Sequence, residues 1–342
     1  MRSWLAISFL ALFFIIQVHA QSPLALTVVT DEADAVLAIL DERTKAIEPT
    51  SDEWNRLFRA EGYQRLKKRE ASLGRTFEDD EFRKFVLSTD LLAHREILRI
   101  TLEKWILIDP TAAGQKALKY LPANAAIKAK IYPVIKPRDN SFVFEVRTDP
   151  AIFLYLDPVV TPQKFENTLA HELHHIGFGT ACPPSAAKIA AERLPERVHN
   201  VLGWIGDFGE GFAMIAAAGG PDVHPHAVSD VKDRERWDKD VGNFNADVKK
   251  VEAFLFDVAS GKLSGEEMNK AGFEFFGVQG PWYTVGWKMA VVIEKTYGRK
   301  KLIESFCDQR LLLATYDRAV KKYKKKSKEE LIGWSPELLK AL

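Results

Sequence analysis

Apolar residues recur at helical spacing from Thr30 to about Leu121, most clearly in "DEADAVLAILDER" and "DEFRKFVLSTDLLAHREILRITLEKWILI", and predict a run of helices. Turn-forming residues in "EPTSDE", "SLGRTFEDD" and "DPTAAG" divide that run into separate elements. The period then changes. "KAKIYPVIK" and "NSFVFEVRTD" nearly alternate and are rich in β-branched and aromatic residues, and "AIFLYLDP" is an apolar run of strand length. Two or three strands are expected between Ile127 and Asp157. Helical spacing resumes after Pro158, where Thr161 is placed to cap a helix and Pro162 to fill its first position, at which the missing N–H costs nothing. Phe165, Leu169, Leu173 and Ile176 form one apolar stripe on that helix, and Gly177 is a natural stop. From about Ala186 the pattern is mainly helical, without repeats. The expected class is α+β, mainly helical, with one small sheet.

The helix beginning at Pro162 also carries chemistry, since "ENTLAHELHHIGFG" contains His171-Glu172-Leu173-His174-His175. This is H-E-x-x-H, in which two histidines four apart leave one helix face a turn apart and can both reach one zinc ion at about 2.0 to 2.1 Å. Glu172 is offset by about 100° and can reach a water on the open side of that metal. Zinc lowers the pKa of such a water to about 7, and the carboxylate then accepts its proton as the water attacks a carbonyl. His171 and His175 are therefore the expected ligands and Glu172 the base. His174 points away from the pair and is expected on the helix surface or in support of a ligand. His224 and His226, in "DVHPHAV", are expected in a surface loop.

A catalytic zinc usually takes a third protein ligand and keeps one position for water. A local third histidine is ruled out, because Phe178 and Ala181 stand where a metzincin needs glycine and histidine. The search moves to "WIGDFGEGFAMIAAAGG", where small residues around Asp207 and Glu210 would let two helices approach closely. Glu210 is the favoured ligand, with Asp207 as its orienter or replacement; the same pair also resembles a capping box. In "GPWYTVGWKMA", Tyr283 could donate its phenol to the developing oxyanion or simply pack at a helix start.

Composition narrows the setting. Arg2 precedes the apolar stretch "WLAISFLALFFIIQV" and the small-residue spacing Val18-His19-Ala20, the pattern of a signal peptide cut after Ala20. The stretch is shorter than the roughly 20 residues of a spanning helix, so export without stable membrane insertion is expected. Loss of Arg2 leaves 47 basic and 47 acidic residues, and without a basic field nucleic acid is not an expected partner. The run "KKYKKKSKEE" reads as a solvated segment. Cys182 and Cys307 both fall in the exported part, where a disulfide is permitted but its pairing is not decided by sequence.

"FVFEV", "AIFLYLDP", "LAHELHHIGFG", "GEGFAM" and "YTVGWKMA", in that order, resemble the gluzincin class of zinc metallopeptidases and, more closely, an uncharacterised, mainly bacterial family of zinc-dependent peptidases. The resemblance extends upstream through "EGYQRLKKRE" to most of the exported chain. It implies a thermolysin-like (zincin) catalytic core over residues 126–342, following the helical N-terminal region (21–125) and signal peptide (1–20) read from the pattern above. It further implies one Zn2+ per chain held by His171, His175 and Glu210, Glu172 as base, Tyr283 assisting the oxyanion, a peptide or protein substrate, and "AIFLYLD" as the strand that holds it. Better-known gluzincins often place an aspartate four residues after the glutamate ligand, whereas this chain has Met214 and offers Asp207 instead. No G-A-M-E-N-like motif occurs, so aminopeptidase specificity is not implied. A rival is a non-catalytic zinc-binding or peptide-binding protein on the same scaffold.

Overall fold

The computed structural model describes residues 22–182 and 194–342; the expected signal peptide lies outside the described residues. The chain is α+β and mainly helical. Its order is β1 (Leu24–Val28), α1 (Asp31–Thr44), α2 (Ser51–Arg59), α3 (Glu61–Ser72), α4 (Asp79–Val86), α5 (Thr89–Ile106), α6 (Pro110–Leu118), β2 (Ile127–Val134), β3 (Phe142–Phe144), β4 (Ala151–Tyr155) and α7 (Pro162–Ala181). There follow α8 (Glu196–Gly206), α9 (Gly209–Ala218), α10 (Val231–Gly242), α11 (Phe244–Ala259), α12 (Gly265–Glu274), α13 (Pro281–Tyr297), α14 (Arg299–Cys307), α15 (Gln309–Tyr323) and α16 (Pro336–Ala341).

Local chemistry explains the helix starts. Thr50 and Glu53 form a reciprocal capping box at α2, Asp109 caps α6 ahead of Pro110, and the Thr161 hydroxyl accepts from the Lys164 amide at 3.2 Å to open α7. The α7 stop differs from expectation: the helix continues past Gly177 to Ala181, with Cys182 at its cap. A Cβ at Gly177 would collide with Leu121 and crowd Ile127, so this glycine permits close packing rather than ending the helix.

The four strands run in the order β1-β2-β4-β3, with β1, β2 and β4 parallel and β3 antiparallel to β4. Of the two or three strands expected between Ile127 and Asp157, three are present. β1 is an addition; it pairs Leu24 with Ile127 and Val28 with Ile131 across all six intervening helices. β4 lies between β2 and β3, so its Ala151–Phe153 stretch is paired on both sides and is closed to an added substrate strand. Among the described residues, the free sheet edge on this side belongs to β3.

One apolar cluster joins α1 to the sheet and to Phe165, Leu169, Leu173 and Ile176, the stripe expected on α7. A second gathers α8, α9, α11, α13 and α15 around Phe208, Phe212, Trp282 and Tyr316. Phe178 packs against both, so α7 lies between the two cores and is held from either side. Its C-cap residue, Cys182, is disulfide-bonded to Cys307, which ties the end of α7 to the end of α14.

Glu32 is 1% exposed beneath the sheet, where its carboxylate accepts from the Ile135 amide at 3.0 Å. Burial is the largest influence and pushes its pKa from 4.5 up to about 8. The folded chain therefore holds a proton that the unfolded chain releases near 4.5. The sign follows: stability is fully present below pH 4.5, declines as pH rises and is lowest above about 8. Glu32→Gln should flatten this slope, gaining roughly a few kcal/mol over the parent at pH 8.5 and little at pH 4. Denaturant midpoints across that range check it, and parallel profiles for the two proteins would refute it.

Candidate metal centre

The middle of α7 presents His171, Glu172 and His175, and α9 brings Glu210 against them. His171 Nε2 and His175 Nε2 lie 3.0 Å apart, and Glu210 Oε2 lies 3.1 Å from the first and 3.3 Å from the second. Three ligands at about 2.0 to 2.1 Å from one tetrahedral zinc would be separated by roughly 3.3 to 3.4 Å. The donor set thus fits one zinc with almost no rearrangement. Burial works against charge on Glu210, but the neighbouring His175 and the hydrogen bonds from His171 and His175 win and hold its carboxyl well below the usual range. Burial likewise opposes charge on His175, yet Glu210 raises it to about 9. The anionic carboxylate is thus already matched with positive charge, the role a divalent cation would take. Asp207 is not in this set. Its expected capping box is also absent, because Phe208 is the N-cap of α9 and no side chain caps it.

Glycine explains how Glu210 arrives. A Cβ on Gly211 would run into the backbone of Tyr283, Gly286 and Trp287, and one on Gly286 into the backbone at Phe208. α9 and α13 therefore meet backbone to backbone; the small residues around Glu210 serve this approach rather than one to the helix that shares the metal. The same approach sets Tyr283 beside the donors: its ring stacks on His171 at 6.3 Å between centroids and 13° between planes. Burial, followed by the Glu210 charge, raises the Tyr283 hydroxyl far above its ordinary value, so it remains a donor. Glu172 is 8% exposed, and burial outweighs the pull of His171 and His175 to raise its carboxyl above its usual range.

His174 belongs to the core rather than the helix surface. It is 1% exposed, sits 4.6 Å from the Phe212 ring and is held neutral, mainly by burial, with Nε2 3.4 Å from the Tyr120 carbonyl. The expectation for His226 is corrected too. Only His224 keeps a surface character, pairing with Asp238 at 3.0 Å, while its Nδ1 accepts from the His226 amide and turns that residue inward. His226 is 5% exposed, packs on Trp237 at 5.2 Å and is held to a pKa of about 4, chiefly by burial.

His171, Glu172, Met214, His226, Gln279 and Tyr283 line one cleft of about 440 Å³. Lys164, Asp233 and Arg236 complete its far side, where Asp233 accepts from both cations at 2.8 to 2.9 Å. Gln279 hydrogen bonds Arg236 at 3.2 Å from a left-handed backbone conformation, φ +62°, a strained geometry held at the edge of the cleft. Sequence reasoning did not find this wall. Its only local signal was His-Pro-His, and the partners that bury it come from α10 and from the turn before α13.

A family model described as "Putative zinc dependent peptidase (DUF5700)" matches residues 54–325. No curated protein and no solved structure matches the chain.

Proposed function

Since the chain belongs to that family of zinc-dependent peptidases, we propose that it is an exported, gluzincin-like metallopeptidase in which His171, His175 and Glu210 hold one zinc and Glu172 is the general base. The observation that carries this reading is the convergence of two Nε2 atoms and one carboxylate oxygen within 3.0 to 3.3 Å, beside a buried glutamate. A zinc ion held there supplies an electrophile and lowers the pKa of a water to about 7.

The chain's own groups do the rest. Glu172, with its carboxyl raised by burial, is a stronger base than an exposed glutamate; it takes the proton of the attacking water and returns it to the leaving amine. Tyr283 keeps its phenolic proton and donates it in a hydrogen bond to the scissile carbonyl oxygen as negative charge develops. The edge strand β3, free on the side away from β4, is the segment onto which an extended substrate adds. The Cys182–Cys307 bond supports export, because such bonds persist in oxidising compartments.

Purified protein should contain about one equivalent of zinc, and a chelator should remove both the metal and peptide hydrolysis. Glu210→Ala should weaken zinc binding by more than the roughly 10- to 100-fold cost of losing a ligand's outer hydrogen-bond partner. Zinc content measured against a competing chelator is the readout. An unchanged affinity would transfer the third position to another group, and a metal-free parent protein would refute the whole reading.

A further inference from the structure

A side pocket of about 200 Å³ adjoins the metal cleft along the first half of α7, sharing Asp139, Ser141, Lys164 and Thr168 with it. It has room for about six waters at roughly 30 Å³ each, and so for one long side chain. Its apolar wall is aromatic: Trp105 and Phe165 lie 4.5 Å apart between ring centroids, with Tyr155 alongside. Trp105 is nearly buried within that wall, at 4% exposed.

The polar wall is acidic. Asp139 and Asp157 both line the pocket, and neither forms an ion pair among the described residues; Asp157 only accepts from the Val159 amide at 3.0 Å. Lys164 is the one cation among the described lining residues, and it is already matched by Asp233 at 2.9 Å and Asp230 at 4.0 Å. Lys136 sits 5.5 Å from the Tyr155 ring centroid, with its ammonium donating to the Arg138 carbonyl and to Asn140. Among the lining residues themselves carboxylates outnumber cations, two to one. A long aliphatic stem fits the aromatic wall, and a cationic head satisfies both the free carboxylates and the ring faces.

We propose that this pocket is a specificity subsite for a lysine or arginine side chain of the substrate, which makes basic peptides the preferred substrate class. The inference rests on the peptidase reading of the adjoining site. It makes Asp139 and Asp157 specificity-determining residues, with no part in holding metal or moving the proton.

The test is calorimetric binding of paired peptides to zinc-loaded Glu172→Gln protein, with lysine or its uncharged isostere norleucine placed at each position in turn. At one position lysine should bind about tenfold tighter or more. That advantage should vanish in Asp157→Asn and shrink in Asp139→Asn, with affinity for the norleucine peptide unchanged. Asparagine keeps the acceptor for the Val159 amide, so a folded variant is expected, and its melting curve checks that. Equal affinities at every position, no binding of either peptide, or an advantage that survives both substitutions overturns the proposal. Turnover of the same peptides by the parent protein tests the other reading separately: selective binding without cleavage would refute the peptidase and leave the subsite standing.

Discussion

Glu172→Gln is expected to lower peptide turnover by about a hundred- to ten-thousand-fold while zinc content stays that of the parent. The size follows from what the substitution removes. Glutamine has nearly the shape of glutamate, but its amide cannot accept a proton from water at neutral pH. Glu172 is next to the proposed ligands and outside the donor set of His171, His175 and Glu210, so the metal should remain. Replacing a buried carboxylate by a neutral amide also removes a charge that burial disfavours, so stability should hold or rise. Initial rates with a quenched-fluorescence peptide library, alongside metal analysis of the same preparations, provide both readouts. Unchanged turnover would remove Glu172 from the mechanism. A parent protein that binds peptides and zinc but cuts none would favour the non-catalytic reading of the scaffold.

The second large effect concerns the bond between Cys182 and Cys307. These residues are separated by 125 positions, and in the chain-entropy model a cross-link over such a span stabilises the fold by about 5 kcal/mol. Cys307→Ser should cost most of that and lower the denaturant midpoint accordingly. Cys182 is the C-cap of the helix that carries His171, Glu172 and His175, so the loss should also fray the end of α7 nearest to His175. Zinc should partly restore stability, since a ligand bound only to the native state adds to it by mass action. Denaturant titrations of parent and variant, with and without zinc, measure both parts. A midpoint indifferent to the substitution would show that packing of α7 between the two cores suffices.

Much of this arrangement was legible in the sequence because it rests on local signals. Thr161-Pro162 marks a helix start whatever surrounds it, and the stripe of Phe165, Leu169, Leu173 and Ile176 fixes which face is buried, hence which face offers His171 and His175. Glu210 was legible because a carboxylate among glycines and alanines needs a buried partner. What escaped notice is non-local. β1 has only five residues, and its partner β2 begins about a hundred positions later, so no nearby turn announces the pairing. Gly177 has a stop signal's composition but is demanded by Leu121 and Ile127 on other elements. His226 reads as a loop residue until Trp237 and the turn at Gln279 close over it. β4 has the apolar run of a well-paired strand, and β3 closes its Ala151–Phe153 stretch to substrate.

The glycine contact between α9 and α13 has a mechanical consequence. With no side chains between Gly211 and Gly286, there is no compressible layer there, and sliding one helix over the other would drive backbone atoms into each other. Glu210 and Tyr283 are thus bolted to a single part. Any shift of α9 relative to α7 would therefore carry the metal-facing carboxylate and the phenol together, in step.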